Sequence, residues 1–303
     1  MKRIRKLGTV QYHLVEVSPF VYRDKLLIFE SVRPRTPDNT HEKRHYLRIR
    51  ELHDGTRDVR TPEEFAAGRV LAEFGDGFTF GCPFAWADEV FVYASGSVTE
   101  SQENAIHVFR SKDMKTWTES VALAAEQERL FNNSVCWTGE RFIMAYETDD
   151  RRWPAFTIRF AESHDLIHWT RIPFDRAVYG TDRYTACPTI RFMDCFFYMF
   201  YLEWKKPDWR FEEYLARSRD LVRWEQSPAN PILAPEPELD QAGCIGHFAE
   251  PPGADINNSD IDFTEFGGQV VIYYSWGNQR GEERLAHAVW DGTLSDWLRA
   301  CYA

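Results

Sequence analysis

The chain has 303 residues, 44% of them hydrophobic and 27% charged, and carries a net charge of −11. That is a globular composition, and its negative balance argues against nucleic-acid or anionic-membrane partners, which need clustered Lys and Arg. No apolar run approaches the roughly 20 residues that span a bilayer, and the basic start, Met1 to Leu14, lacks the apolar stretch of a signal peptide.

The six cysteines, Cys82, Cys136, Cys187, Cys195, Cys244 and Cys301, show neither a CxxC pair nor metal-ligand spacing. Reduced thiols, a cytoplasmic location and no cofactor are therefore expected. The oligomeric state is left open. Aromatic residues are abundant, with 22 Phe, 13 Tyr and 11 Trp. They suit pleated, half-buried surfaces and favour an all-β fold.

The predicted elements repeat along the chain. Each unit begins with a short strand, a turn and a strongly apolar strand. The first is Ser18-Pro19-Phe20-Val21, leading through Asp24 to Leu26–Phe29. The second is Cys82-Pro83-Phe84-Ala85, leading through Asp88 to Val90–Tyr93. The third runs from Asn133–Cys136 through Gly139 to Phe142–Tyr146. The fourth runs from Cys187–Ile190 through Asp194 to Phe196–Tyr201. The fifth runs from Asp262–Thr264 through Gly267-Gly268 to Val270–Tyr274.

Units two to five add a third strand, at 105–109, 156–160, 213–216 and 285–289. After it comes a Ser-x-Asp-x-x-x-Trp turn, at Ser111–Trp117, Ser163–Trp169 and Ser218–Trp224, with a weaker echo at Asp291–Trp297. A fourth strand is predicted to start at each Trp. Four short strands at a period of roughly 50 residues describe a propeller blade. The turn's Asp can bond local backbone, and its Trp can be buried between neighbouring sheets. The motif therefore reads as structural.

Five inner strands are expected, near residues 14–22, 80–87, 131–137, 185–191 and 260–265, in one domain over 1–303. Between the second strand of unit one and unit two lies a longer stretch with Arg33, Arg35, Lys43, Arg44, Arg48, Arg50, Glu63 and Glu64. It reads as a solvated loop, or as a pocket wall for an anionic sugar.

The repeated turn, preceded by strand-turn-strand units with Pro at the first strand, resembles the five-bladed β-propeller glycoside hydrolases of families 43, 32, 62, 68, 117 and 130. The resemblance covers nearly the whole chain and implies an all-β five-bladed propeller with four antiparallel strands per blade. It implies a small-molecule carbohydrate substrate in the central funnel. It also leaves room for a structural cation in the central channel, where some relatives hold one.

Family-43-type enzymes carry their base as an Asp before Pro in blade one, where this chain has Ser18. Glu16, two residues earlier, points to the same side of a strand. The corresponding positions in blades two to four read as Cys82, Asn133 and Cys187, and blade five offers Asp262 with Asp260 two residues before it. The second strands return to the funnel mouth at Glu30 and Ser31, Ser95 and Ser97, Glu147 and Asp149, Glu203 and Trp204, and Trp276 and Asn278. By resemblance the acid comes from blade three or four, which makes Glu147 and Glu203 the candidates. A His acid, as in family 117, is kept open by His247.

Glycoside hydrolysis needs one group to protonate the leaving oxygen and another to activate water or attack the sugar. The catalytic candidates are Glu16, Asp260, Asp262, Glu147 and Glu203. Ser31, Arg33, Asn133, Trp204, His247 and Trp276 are expected to bind the sugar. A hydrolase is the leading reading. A phosphorylase using the Arg33 and Arg35 region, or a non-catalytic sugar-binding propeller, is the alternative.

Overall fold

The computed structural model describes residues 4–12, 14–33, 44–52, 62–96, 104–207, 210–235, 257–277 and 283–303. It is a five-bladed β-propeller. Blade one is Val17–Tyr22, Lys25–Val32, Tyr46–Glu51 and Arg69–Phe74. Blade two is Phe78–Trp86, Glu89–Gly96, Ala105–Ser111 and Thr118–Ala124. Blade three is Leu130–Trp137, Phe142–Thr148, Thr157–Ser163 and the short Thr170–Arg171. Blade four is Thr185–Met193, Phe196–Lys205, Arg210–Ser218 and Trp224–Gln226. Each inner strand packs beside those of the flanking blades, and the inner strand of blade five returns to that of blade one. All five line the far end of the channel, a cavity of about 300 Å³.

Blade five closes the ring differently from the sequence expectation. Its first three strands are Asn257–Phe266, Gln269–Gly277 and Glu283–Asp291. Its outer strand is the N-terminal Arg5–Tyr12, paired from Arg5 opposite Val289 to Tyr12 opposite Arg284. The segment expected to supply that strand, from Trp297, is instead the helix Leu294–Ala300. Thr293 caps it by accepting the Asp296 N–H at 3.1 Å. Trp297, Leu298 and Cys301 form its buried face, the spacing of a helix and not of a strand.

The Ser-x-Asp turns bond their own backbone as read, with Trp169 buried and Trp117 and Trp224 half-buried. In each, the Ser hydroxyl accepts backbone N–H groups two or three residues on, and the Asp carboxylate accepts the next two. Those bonds pull the carboxyls of Asp113 and Asp220 below their usual range. The following Trp then packs on the preceding blade. Trp117 stacks on Phe74 of blade one at 3.8 Å, and Trp169 meets Tyr93 of blade two edge-on at 5.5 Å. Trp224 stacks on Phe160 of blade three at 5.8 Å. Trp297, though helical, makes the same contact with Phe200 of blade four at 5.1 Å.

The basic stretch of blade one is not one loop. Arg48 and Arg50 sit in its third strand and clamp the fully buried Glu30, at 2.5 Å and 2.6 Å. The short helix Pro62–Ala66 follows that strand. Arg35, Lys43 and Glu63 lie outside the described residues or side chains.

Trp169 is 9% exposed, so its truncation to Ala should lower unfolding free energy by about 3–5 kcal/mol. Trp86, 37% exposed at a hairpin turn, should cost far less. Urea titration of both variants checks this; equal losses would contradict the interblade role.

Candidate active site

The inner strands do not run straight into the funnel. Pairing with the second strand skips two residues in blades two to five, between Thr79 and Cys82, Leu130 and Asn133, Ala186 and Thr189, and Ser259 and Asp262. Such bulges bend a strand and re-aim its side chains. Three of them place a non-glycine residue in the left-handed region: Phe80 (φ 56°), Cys187 (φ 50°) and Asp260 (φ 54°). Blade one pairs without interruption from Val17 to Tyr22.

The bulge changes the sequence alignment of the blades. Counted back from the hairpin turns, Ser18, Cys82, Asn133, Thr189 and Asp262 occupy one level. Cys187, which the sequence reading equated with Cys82, lies two residues above and matches Phe80 and Asp260. A pocket at the mouth is lined by Glu16, Asn132, Asn133, Cys187, Asp260 and Asp262, among others. Glu16, Asp260 and Asp262 are thus brought together, as expected.

Their surroundings differ. Glu16 is buried and forms an ion pair with Arg33, whose guanidinium lies over the Phe80 ring at 5.1 Å. Asp260 is partly exposed and accepts the Ser259 hydroxyl at 2.5 Å. Asp262 accepts Arg191 at 2.6 Å and the Phe263 N–H at 2.7 Å. Arg191 also donates to the carbonyls of Ile190 and Phe263. This guanidinium lines the channel beside Asp262, and among the described residues no three His, Cys, Asp or Glu side chains are grouped to hold a metal ion. Beside Asp262 the channel wall carries the positive charge of Arg191.

Glu147 stands just behind the pocket, 4% exposed. Its Oε2 accepts Asn132 Nδ2 at 3.0 Å and the Cys187 N–H at 2.9 Å. Burial pushes its carboxyl up to about 7, and the nearby charge of Asp260 adds to the rise. Cys187 is raised well above the ordinary thiol range, chiefly by burial and then by Asp260 and Glu147. At neutral pH it is a thiol.

Sequence reasoning missed Glu213. It is fully buried in the third strand of blade four, where its Oε1 accepts the Ile261 N–H at 3.3 Å. Burial and then Asp260 raise it well above the usual carboxyl range.

The remaining described candidates are engaged by other groups. Glu203 sits beside Arg183 (3.6 Å) and Lys205 (3.4 Å) and does not line the mouth pocket. Trp276 is 2% exposed in the core of blade five and donates to Thr9 at 3.0 Å. Ser31 is buried and accepts the Gly81 N–H at 3.1 Å. Asn133 donates to the Phe80 carbonyl at 3.1 Å. His247, Ser97 and Asn278 lie outside the described residues.

Trp204 ends an arc of aromatic rings. From Phe80 the arc passes to Phe131 (5.7 Å), Phe156 (5.1 Å), Tyr184 (5.5 Å) and Trp204 (6.2 Å). All but Phe131 are partly exposed. Glu147 and Asp260 both act on the Tyr184 hydroxyl, after burial, which places the arc beside the acids.

No family profile matches the chain, and a search of the curated proteins finds no match. Solved structures do match. A BT0996–RGII complex is 17% identical, with a TM-score of 0.69 over 95% of this chain and 92% of that one. A thermostable family-43 glycoside hydrolase is 10% identical, with a TM-score of 0.66 over 94% and 91%. A structure from the GH130 family of mannoside phosphorylases, which contains glycoside hydrolases that target β-1,2-mannosidic linkages in Candida mannan, is 10% identical. Its TM-score is 0.63 over 96% and 94%.

The chain shares the fold of the five-bladed glycoside hydrolases. This propeller differs from the family-43 pattern as the resemblance describes it: blade one has Ser18 before its Pro, while the carboxyl groups of Glu16, Asp260 and Asp262 line the mouth pocket and those of Glu147 and Glu213 are buried near Asp260.

Removing the Asp260 charge should lower the Glu147 titration from about 7, because a like charge disfavours ionisation. Carboxyl ¹³C shifts in Asp260→Asn against the parent measure this. An unmoved midpoint would mean that the two groups do not sense each other.

Proposed function

We propose that the chain is a glycosidase acting on short oligosaccharides or simple glycosides in the funnel mouth. One observation carries the reading: a buried carboxyl at Glu147 that keeps its proton up to about pH 7, set beside the more exposed Asp260 in a glycoside hydrolase fold. Two carboxyls in such unequal environments divide into acid and base.

In this account Glu147 gives its proton to the glycosidic oxygen as the bond from that oxygen to the anomeric carbon breaks. Both hydrogen bonds described above fall on Oε2, which leaves Oε1 to carry the proton. Asp260 takes a proton from the attacking water, or bonds the anomeric carbon itself until water replaces it. The Glu16–Arg33 pair and the partly exposed rings of the arc hold the sugar, the rings through their apolar faces. Asp262, bound to Arg191, shapes the funnel floor.

Among the described residues of blade one, the pairing of Arg33, Arg48 and Arg50 favours water over phosphate as acceptor. Arg33 is matched by Glu16, and Arg48 and Arg50 by Glu30. A phosphorylase would need those charges for its phosphate.

A panel of 4-nitrophenyl glycosides, read with and without phosphate, tests the reaction class. Turnover that needs no phosphate is expected. Glu147→Gln and Asp260→Asn should each cut turnover by roughly two to four orders of magnitude, and Glu203→Gln should change it little. Near-normal rates in both of the first two variants would remove this mechanism and favour a binding role.

A further inference from the structure

Each bulge at the funnel mouth is held by a side chain of the preceding blade. Ser31 accepts the Gly81 N–H at 3.1 Å, and Ser95 donates to the Phe131 carbonyl at 3.1 Å. Glu147 accepts the Cys187 N–H at 2.9 Å, and Glu213 accepts the Ile261 N–H at 3.3 Å. The tether is a serine for blades two and three and a glutamate for blades four and five. The two glutamate-held bulges present Cys187 and Asp260 to the pocket.

We propose that Glu213 is a positioning residue: its buried carboxyl grips the bulge of blade five and holds Asp260 in the left-handed backbone that presents its carboxylate to the funnel. This rests on the reading of Asp260 as the base.

Several facts carry the inference. Asp260 has φ 54°, a conformation that a non-glycine residue keeps only when its surroundings fix it. Ile261, the residue after Asp260 in the bulge, is gripped at both ends, its N–H by Glu213 and its carbonyl by the Thr189 hydroxyl at 2.7 Å. Glu213 is 0% exposed, and its Oε2 has no hydrogen-bond partner. A second anion beside Asp260 would repel it, and burial raises the Glu213 carboxyl well above its usual range, which favours the neutral form. The titratable groups acting on Glu213 are Asp260 from blade five and Cys187 from the inner strand of blade four. A neutral carboxyl can therefore serve as a hydrogen-bond acceptor without disturbing the charge of the site.

Glu213→Gln keeps a carbonyl oxygen for the Ile261 N–H, whereas Glu213→Leu removes the acceptor at similar size. On whichever 4-nitrophenyl glycoside is hydrolysed, the Gln variant should stay within about threefold of the parent. The Leu variant should lose roughly a hundredfold in kcat with little change in KM. Added to Asp260→Asn, Glu213→Leu should cost nothing further, since residues acting through one another are not additive. Crystals of the Leu variant should show residue 260 outside the left-handed region.

Full kcat in the Leu variant, an additive double variant, or a Gln variant as impaired as the Leu variant would each overturn the proposal. If Asp260→Asn itself is fully active, the base assignment fails instead. The crystal structures then decide the tether alone: an unchanged bulge in the Leu variant refutes it.

Discussion

The site depends on the two-residue bulge that interrupts the inner strands at the funnel mouth. A regular strand alternates its side chains between faces, so consecutive residues cannot both address the funnel. The bulge breaks that alternation at Cys187 and Asp260. It also frees backbone N–H groups from the ladder, and buried N–H groups need partners. Side chains of the preceding blade supply them for Gly81, Cys187 and Ile261. Blade packing and site geometry are therefore one arrangement: shifting a blade would move the acceptor away from the bulge it holds.

That coupling explains why buried carboxyls occur here. An isolated glutamate in an apolar setting favours its neutral form. Glu147 and Glu213 both accept backbone N–H groups while neighbouring the charge of Asp260. Glu147 borders the pocket residues Asn132 and Cys187 and titrates near 7, within reach of a proton-transfer role. Glu213 lies deeper and serves as an anchor. Gly81 shows how tight the same level is in blade two: a β-carbon there would sit 2.5 Å from the Phe29 ring.

Much of the fold was legible because it is periodic. The strand-turn-strand units and the Asp–Trp turns recur, and each marks a hairpin or an interblade contact. The closing strand was not legible, because the pairing of Arg5–Tyr12 with Glu283–Asp291 joins distant segments and leaves no local sign. The C-terminal helix did have a sign: Thr293 three residues before Asp296, and apolar residues at Leu294, Trp297, Leu298 and Cys301. The resemblance of Asp291–Trp297 to the repeated turn masked it. In the site, Glu16, Asp260 and Asp262 followed from their place at strand starts. Cys187 was misaligned because the bulge adds residues that a linear pattern does not reveal. Glu213 escaped because it stands in a third strand, away from the strand starts and returns that mark the funnel mouth in the sequence. Glu203 pairs across from Glu212, and Leu202 from Glu213, so the two glutamates stand on opposite faces of the sheet.

The pH dependence of kcat/KM tests the central claim, that a protonated Glu147 drives the chemistry. An acid whose carboxyl is raised to about 7 is active below that pH and loses its proton above it. The rate should hold through mildly acidic pH and fall about tenfold per unit above the midpoint. Glu147→Gln should abolish that alkaline limb. A rate that climbs through pH 7, or a limb that survives in the variant, would show that the proton comes from elsewhere.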